Sequence, residues 1–104
     1  MRLRNVGANM TVGDIGVTLQ ITTNEDMTGY DLEVIIVKPS GATITRSTTS
    51  ISMQNAFYVT ADGDIDEDGK HFIFLRNNTV GFEYDPGNNT FMVRPRAEDQ
   101  AVWV

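Results

Sequence analysis

Apolar and polar residues alternate with a period of two along much of this chain, which constrains the fold more than any other feature. The clearest example is the segment 15–23. Its apolar positions are Ile15, Val17, Leu19 and Ile21. A period of two places the apolar side chains on one face of a β-strand, whereas an amphipathic helix needs them three and four residues apart. The pattern therefore predicts β-strands.

The rest of the chain divides into further short strand-like segments. Residues 32–37 are almost wholly apolar, which is typical of a central strand covered on both faces, and a Pro-Ser-Gly turn follows them. The polar, β-branched stretch from Thr43 to Ser52 predicts one exposed edge strand or two short ones. Further strands are predicted at 57–60, 70–76, 79–84 and 90–94.

Short strands separated by regular turn signals predict an all-β chain, either a sandwich or a small barrel of about seven or eight strands. A length of 104 residues suits one domain. We expect an N-terminal arm over residues 1–12, a β-sandwich domain over 13–95 and a C-terminal tail over 96–104.

Composition excludes several classes of function. The 14 acidic and 8 basic residues give a net charge of -6, which disfavours a nucleic-acid partner. The chain has no cysteine, which excludes disulfides and thiolate metal sites and favours folding in a reducing cytoplasm. No apolar segment matches a signal peptide or a membrane span. We therefore expect a protein that is made in the cytoplasm and has no membrane partner.

Acidic residues are densest in the segment 62–69, DGDIDEDG. Asp64, Asp66 and Asp68 have the D-x-D-x-D-G spacing of the first half of a calcium loop. The second half departs from that pattern, because Leu75 stands where the bidentate glutamate belongs and the flanking segments are strands. The favoured interpretation is an inter-strand corner with solvated carboxylates, and weak calcium binding is the alternative.

Catalytic groups are sparse. His71 is the only histidine, and it shares a predicted strand face with Ile73 and Leu75, which indicates a hydrogen-bonded packing residue. No His-x-x-x-His motif, nucleophile elbow or phosphate-binding glycine loop occurs. We therefore predict neither an enzyme nor a bound cofactor.

Chain ends and strand edges are the predicted contacts with other proteins, because an unpaired strand edge can pair with another chain and a terminus can pack on its surface. The predicted partner-binding residues are Arg2, Arg4, Arg94, Arg96 and Trp103. The apolar end that contains Trp103 can fold back onto its own domain or dock on a neighbour. The face opposite His71 presents Phe72 and Phe74 either to the second sheet or to a partner.

Three blocks of this sequence stand out together: GDIGVTLQI at residues 13–21, VKPSGAT at residues 37–43, and residues 60–72, which contain DIDEDGKHF. In this order they resemble the N-terminal domain of phage baseplate upper proteins. Residues 13–21, GDIGVTLQI, are similar to the opening motif of that family, and residues 37–43, VKPSGAT, resemble its KPDGT hairpin. Residues 60–72, with DIDEDGKHF at 64–72, resemble its DLDxAGxY corner and the strand that follows. His71 stands where the family has tyrosine.

The resemblance implies an immunoglobulin-like β-sandwich of antiparallel strands that works inside a virion. The implied function is that of a multi-copy tail, baseplate or collar adaptor that attaches fibres or neighbouring subunits. Two alternatives stay open: a capsid decoration protein, and a calcium-dependent carbohydrate-binding module that uses Asp62, Asp64, Asp66 and Asp68.

Overall fold

The computed structural model describes residues 10–84 and 90–95 in full and residues 2–5 by their backbone. Every regular element in this part of the chain is a β-strand. The strands are β1 (Arg2–Asn5), β2 (Met10–Thr11), β3 (Thr18–Thr22), β4 (Leu32–Val37), β5 (Thr43–Ser47), β6 (Ser50–Ser52), β7 (Asn55–Val59), β8 (Gly69–Asn77), β9 (Phe82–Glu83) and β10 (Thr90–Arg94). The prediction of an all-β chain is confirmed.

The strands form two sheets. The four-stranded sheet has the order β1-β3-β7-β6, and the six-stranded sheet has the order β2-β10-β8-β4-β5 with β9 beside β8. Neighbouring strands are antiparallel except for β2 and β10, which run parallel. The expectation of purely antiparallel pairing therefore fails at this one pair.

Buried side chains from both sheets form one hydrophobic core. Its fully buried members include Leu19, Ile21, Met27, Val34, Ile36, Ile73 and Leu75. Burial alternates along β3, β4 and most of β8, because successive side chains of a strand point to opposite faces. The period-two pattern of the sequence is thus the direct cause of the core.

β4 occupies the inner position that its apolar sequence predicts, between β5 and β8. The sequence predicted that both faces of β4 are covered, but its outer face is not. Ile35 and Val37 are only half-buried, because no other described element packs over the outer face of the six-stranded sheet. The apolar run therefore indicates a central strand but not a covered one.

The polar stretch from Thr43 to Ser52 forms two short edge strands. β5 ends the six-stranded sheet and β6 ends the four-stranded sheet. The chain changes sheets between them: the Thr48 N–H donates to the Leu32 carbonyl (3.2 Å), and the Thr49 N–H donates to the Phe57 carbonyl (2.7 Å). Of the two arrangements that the sequence allowed, the pair of short strands is correct.

Other segments differ from the sequence-based expectations. The N-terminal region 1–12 contributes β1 and β2 to the two sheets, so it is not a separate arm in the part that is described. β3 begins only at Thr18, since Gly16 has a positive φ of 80° and leaves Ile15 63% exposed. The strand predicted at 79–84 is reduced to β9, because the Asn77 side chain accepts from the N–H of Thr79 (3.0 Å) and holds a turn.

Candidate protein-binding surface

The acidic segment forms a corner between β7 and β8, defined here as residues 60–69. Asp64 is completely buried there. Its carboxylate accepts hydrogen bonds from the Ala61 N–H (2.8 Å), from Nε of Arg46 (3.0 Å) and from the Tyr58 hydroxyl. Burial, followed by the Asp64 contact, raises the pKa of Tyr58, so this hydroxyl stays a donor. Asp64 therefore joins both sheets to the corner.

The hairpin between β4 and β5 packs against the same corner. Lys38 is buried, and its Nζ donates to Asp66 Oδ1 (2.7 Å) and to the Gly63 carbonyl (2.9 Å). The hydrogen bond from Lys38 lowers the pKa of Asp66 below its usual value. Glu67 accepts from the backbone N–H of Ser40 (2.9 Å) and from its hydroxyl (2.8 Å).

The segment before β3 completes this contact. The Gly13 N–H donates to the Ile65 carbonyl (2.7 Å), and the Gly16 N–H donates to the Thr60 carbonyl (2.8 Å). The three sequence blocks at 13–21, 37–43 and 60–72 therefore meet at one corner of the molecule. Their polar residues hold the fold together at this point.

Asp64, Asp66 and Asp68 do not converge as calcium ligands. Asp64 points inward with its oxygens occupied, Asp66 pairs with Lys38, and Asp68 is exposed. Within residues 10–84 and 90–95, no group of three acidic or histidine side chains is arranged to hold a metal ion. The corner geometry favours the structural interpretation of this segment.

His71 is fully buried and stacks on Phe91, with ring centroids 4.8 Å apart. Its Nδ1 donates to the Gly69 carbonyl (3.1 Å), while Nε2 has no hydrogen-bond partner in the described part of the chain. Burial lowers the pKa of His71, since desolvation disfavours the imidazolium. The prediction of a hydrogen-bonded packing residue is confirmed.

The outer face of the six-stranded sheet exposes large apolar side chains. Phe72 is 45% exposed and Met92 is 61% exposed, although both lie within regular strands. Phe72 pairs in register with Val37 on one side and Thr90 on the other. We call this surface the outer patch. It consists of Ile35, Val37, Phe72, Phe74 and Met92.

Two cations border the outer patch. Lys70 lies opposite Met92 in the register and places its Nζ 5.5 Å from the centroid of the Phe72 ring. Arg94 is exposed two residues beyond Met92, on the same face of β10. Among the basic side chains that the structure describes, Lys38, Arg46 and Arg76 form salt bridges, whereas Lys70 and Arg94 form none.

The predicted partner-binding residues are scattered. Arg94 borders the outer patch, and Arg2 and Arg4 belong to β1, whose backbone pairs with β3 at an edge of the other sheet. Arg96 and Trp103 lie outside the described residues. Phe72 and Phe74 are exposed apolar candidates from the sequence alone, whereas Met92 and Lys70 were not predicted. Alternation along residues 90–94 and 70–76 would have identified Met92 and Lys70 as members of strand faces.

In the described ranges, no helix has the length and apolar character needed to cross a bilayer. In comparisons with known proteins, no family model, no curated protein and no solved structure matches this chain.

Proposed function

We propose that this chain is an immunoglobulin-like β-sandwich that serves as a structural subunit of a bacteriophage particle. It acts as a tail, baseplate or collar adaptor, and it binds a neighbouring subunit through the outer patch. Its role is attachment and not catalysis.

The strand order supports the immunoglobulin-like assignment. In such sandwiches one sheet has the order A-B-E-D and the other contains G-F-C, with a C′ strand added in variable-type domains. The order β1-β3-β7-β6 corresponds to A-B-E-D, and the order β10-β8-β4-β5 corresponds to G-F-C-C′. The resemblance of the three sequence blocks supports the phage assignment.

The observation that carries the binding role is the exposure of Phe72 and Met92 on a regular sheet face. A strand that faces water usually carries polar residues on that face, so large apolar side chains there favour a surface that another protein covers. Aromatic residues, methionine and arginine are enriched in the centres of such interfaces.

The two bordering cations indicate the chemistry of the partner. Lys70 and Arg94 lack a carboxylate partner in the described part of a chain whose net charge is -6. A neighbouring subunit that presents an apolar patch beside carboxylates would cover Phe72 and Met92 and neutralise both cations. This is the partner surface that we propose.

The test is incorporation into particles. Particles would be purified from the lysate of the host that carries the gene, and the copy number of the chain would be measured by quantitative mass spectrometry. We expect the wild-type chain in the particles, and an F72S/M92S variant reduced about tenfold or more, because the centre of an interface carries most of its affinity. Gold labelling would place the chain on the tail or on the head.

Matched controls are I15S and V80S, which remove exposed apolar side chains that lie outside the sheets. Both controls should incorporate normally, and all variants should unfold within a few degrees of the wild type. Absence of the wild-type chain from purified particles would overturn the virion role. Normal incorporation of F72S/M92S would overturn the role of the outer patch.

A further inference from the structure

β5 is an edge strand whose free backbone groups can be assigned residue by residue. Hydrogen-bonded and non-bonded pairs alternate in an antiparallel ladder. Two hydrogen bonds flank the paired residues of β4 and β5 and fix the alternation. At one end the Lys38 N–H donates to the Ala42 carbonyl (2.8 Å), and at the other the Thr48 N–H donates to the Leu32 carbonyl. The bonded residues of β5 are therefore Ile44 and Arg46.

The backbone groups of Thr43, Thr45 and Ser47 consequently point away from β4, toward the open edge of the sheet. No other described strand pairs with this edge. Natural edge strands are usually protected by proline, by charged side chains, by a bulge or by very short length. β5 has five residues, TITRS, without proline, and its register with β4 is uninterrupted. Its one charged side chain, Arg46, is bound to Asp64 of the same chain and does not extend from the open edge.

The same strand is self-complementary. When two copies of β5 run antiparallel about a twofold axis at Thr45, Thr45 faces Thr45 and Thr43 faces Ser47 of the second copy. On the other face Arg46 lies opposite Ile44, so the two arginines do not oppose each other. Arg46 is also already paired with the buried Asp64. This register thus creates no like-charge pair, and it forms cross-strand pairs of hydroxyl residues.

We propose that two copies of this chain associate through β5, joining their six-stranded sheets into one continuous sheet. This dimer extends the proposed function. It rests on that function in one respect, which is that several copies of the chain are present together. Because both outer faces then lie on one side of the joined sheet, the two outer patches form one bivalent surface. A bivalent surface binds a repeated partner more tightly than either patch alone.

Disulfide trapping tests the register on a chain that has no natural cysteine. In T45C, the two cysteines would lie about 5.5 Å apart between Cα atoms, which is within the range for a disulfide. In T43C or S47C, the Cα atoms of like cysteines would lie about 14 Å apart, which is too far for a disulfide. We expect rapid covalent dimers from T45C and from a mixture of T43C with S47C, and little dimer from either T43C or S47C alone.

Sedimentation of the unmodified protein provides the second measurement. We expect concentration-dependent dimers that T45K abolishes, since two lysines would then face each other across the axis, and that T45V preserves. Equal cross-linking of T45C and T43C, or a wild type that stays monomeric with T45C uncross-linked, would overturn the proposal. If the chain is monomeric but is still incorporated into particles, the proposed function stands. Only the proposal that a second copy pairs with β5 would then be wrong.

Discussion

Lys38 Nζ lies 2.7 Å from Asp66 Oδ1, and this contact ties the β4–β5 hairpin to the corner that precedes β8. Lys38 is only 7% exposed, whereas Asp66 is 56% exposed. A second hydrogen bond from the same Nζ reaches the carbonyl of Gly63. A buried lysine needs such acceptors, because an unpaired ammonium in the interior is costly. The lysine and the aspartate therefore belong to one structural unit, although they are distant in sequence.

Replacing Lys38 by methionine should lower the free energy of unfolding by about 1–2 kcal/mol, because the Gly63 carbonyl loses a donor while the apolar stem is kept. Urea unfolding at neutral pH measures the effect. The matched control is K70M, which removes an exposed lysine that forms no salt bridge with any described residue and should change stability by about 0.5 kcal/mol or less. Equal effects of K38M and K70M would contradict the structural role of Lys38.

The buried carboxylate of Asp64 should be the most sensitive polar group of the corner. Replacing it by alanine leaves the Tyr58 hydroxyl, the Ala61 N–H and Arg46 without their acceptor, so we expect a loss of about 3 kcal/mol or more. Y58F removes one donor and should cost about 1–2 kcal/mol.

The control for this series is D62A, because Asp62 is exposed and belongs to the same acidic segment. It should stay within about 0.5 kcal/mol of the wild type in the same urea experiment. A calcium-binding corner would behave differently: D62A and D64A would both abolish a calcium-induced rise in Tm. A calcium-induced rise in the Tm of the wild type that both substitutions abolish would therefore contradict the interpretation of Asp64 as a structural residue.

The sequence predicted the strands best where alternation is strong and turn residues are explicit. β3 and β4 follow from their apolar positions, and the turn after Lys38 follows from proline and glycine. The predictions failed where the local backbone or a side-chain hydrogen bond, and not the apolar pattern, determines where a strand begins or ends. Gly16 breaks the alternation before β3, and the Asn77 side chain imposes a turn where β-branched residues indicated a strand.

The outer patch was only partly predictable for a physical reason. Both faces of β8 carry large apolar residues, so periodicity shows that Phe72 and His71 point to opposite sides but not which side is the core. The packing of His71 on Phe91 settles this choice, and it depends on the pairing of β8 with β10. Pairing between strands that are distant in sequence cannot be deduced from local pattern.

His71 should make stability depend on pH in a window just below neutrality. Its pKa is 6.5 in the unfolded chain and is lowered in the folded state, because burial disfavours the charged ring. As the pH falls through 6.5, the unfolded state therefore takes up a proton before the folded state, and folding is weakened. The slope can reach about 1.4 kcal/mol per pH unit for a single group.

Urea unfolding at pH 7.5, 6.0 and 5.0 checks this expectation, with H71L as the comparison. The variant has no histidine, so its stability should stay nearly constant over this interval and fall only as the carboxylates titrate. The pKa of Asp66 is lowered in the folded state, so its stabilising contribution is present throughout this window and is lost only as the pH falls below about 3.8. Parallel pH profiles for the two proteins would contradict the assignment to His71.

The turn between β6 and β7 should be stabilised by a glycine. Met53 has a φ of +54° and is 66% exposed, so its backbone is strained while its side chain contributes little packing. The carbonyl of Met53 accepts from the Met27 N–H (2.8 Å), which holds the strained conformation in place. A two-residue hairpin of this kind favours glycine at its first position.

M53G should therefore raise the free energy of unfolding by about 0.5–1 kcal/mol, since relief of a strain of about 1–2 kcal/mol exceeds the entropic cost of glycine. For a domain of this size the gain corresponds to a Tm increase of about 2–8 °C. M53A removes the same side chain but keeps the strain, and M92G places glycine in the regular strand β10; neither should stabilise. If M53A raised the Tm as much as M53G, the gain would come from removing an exposed side chain, and the positive φ of Met53 would not be its cause.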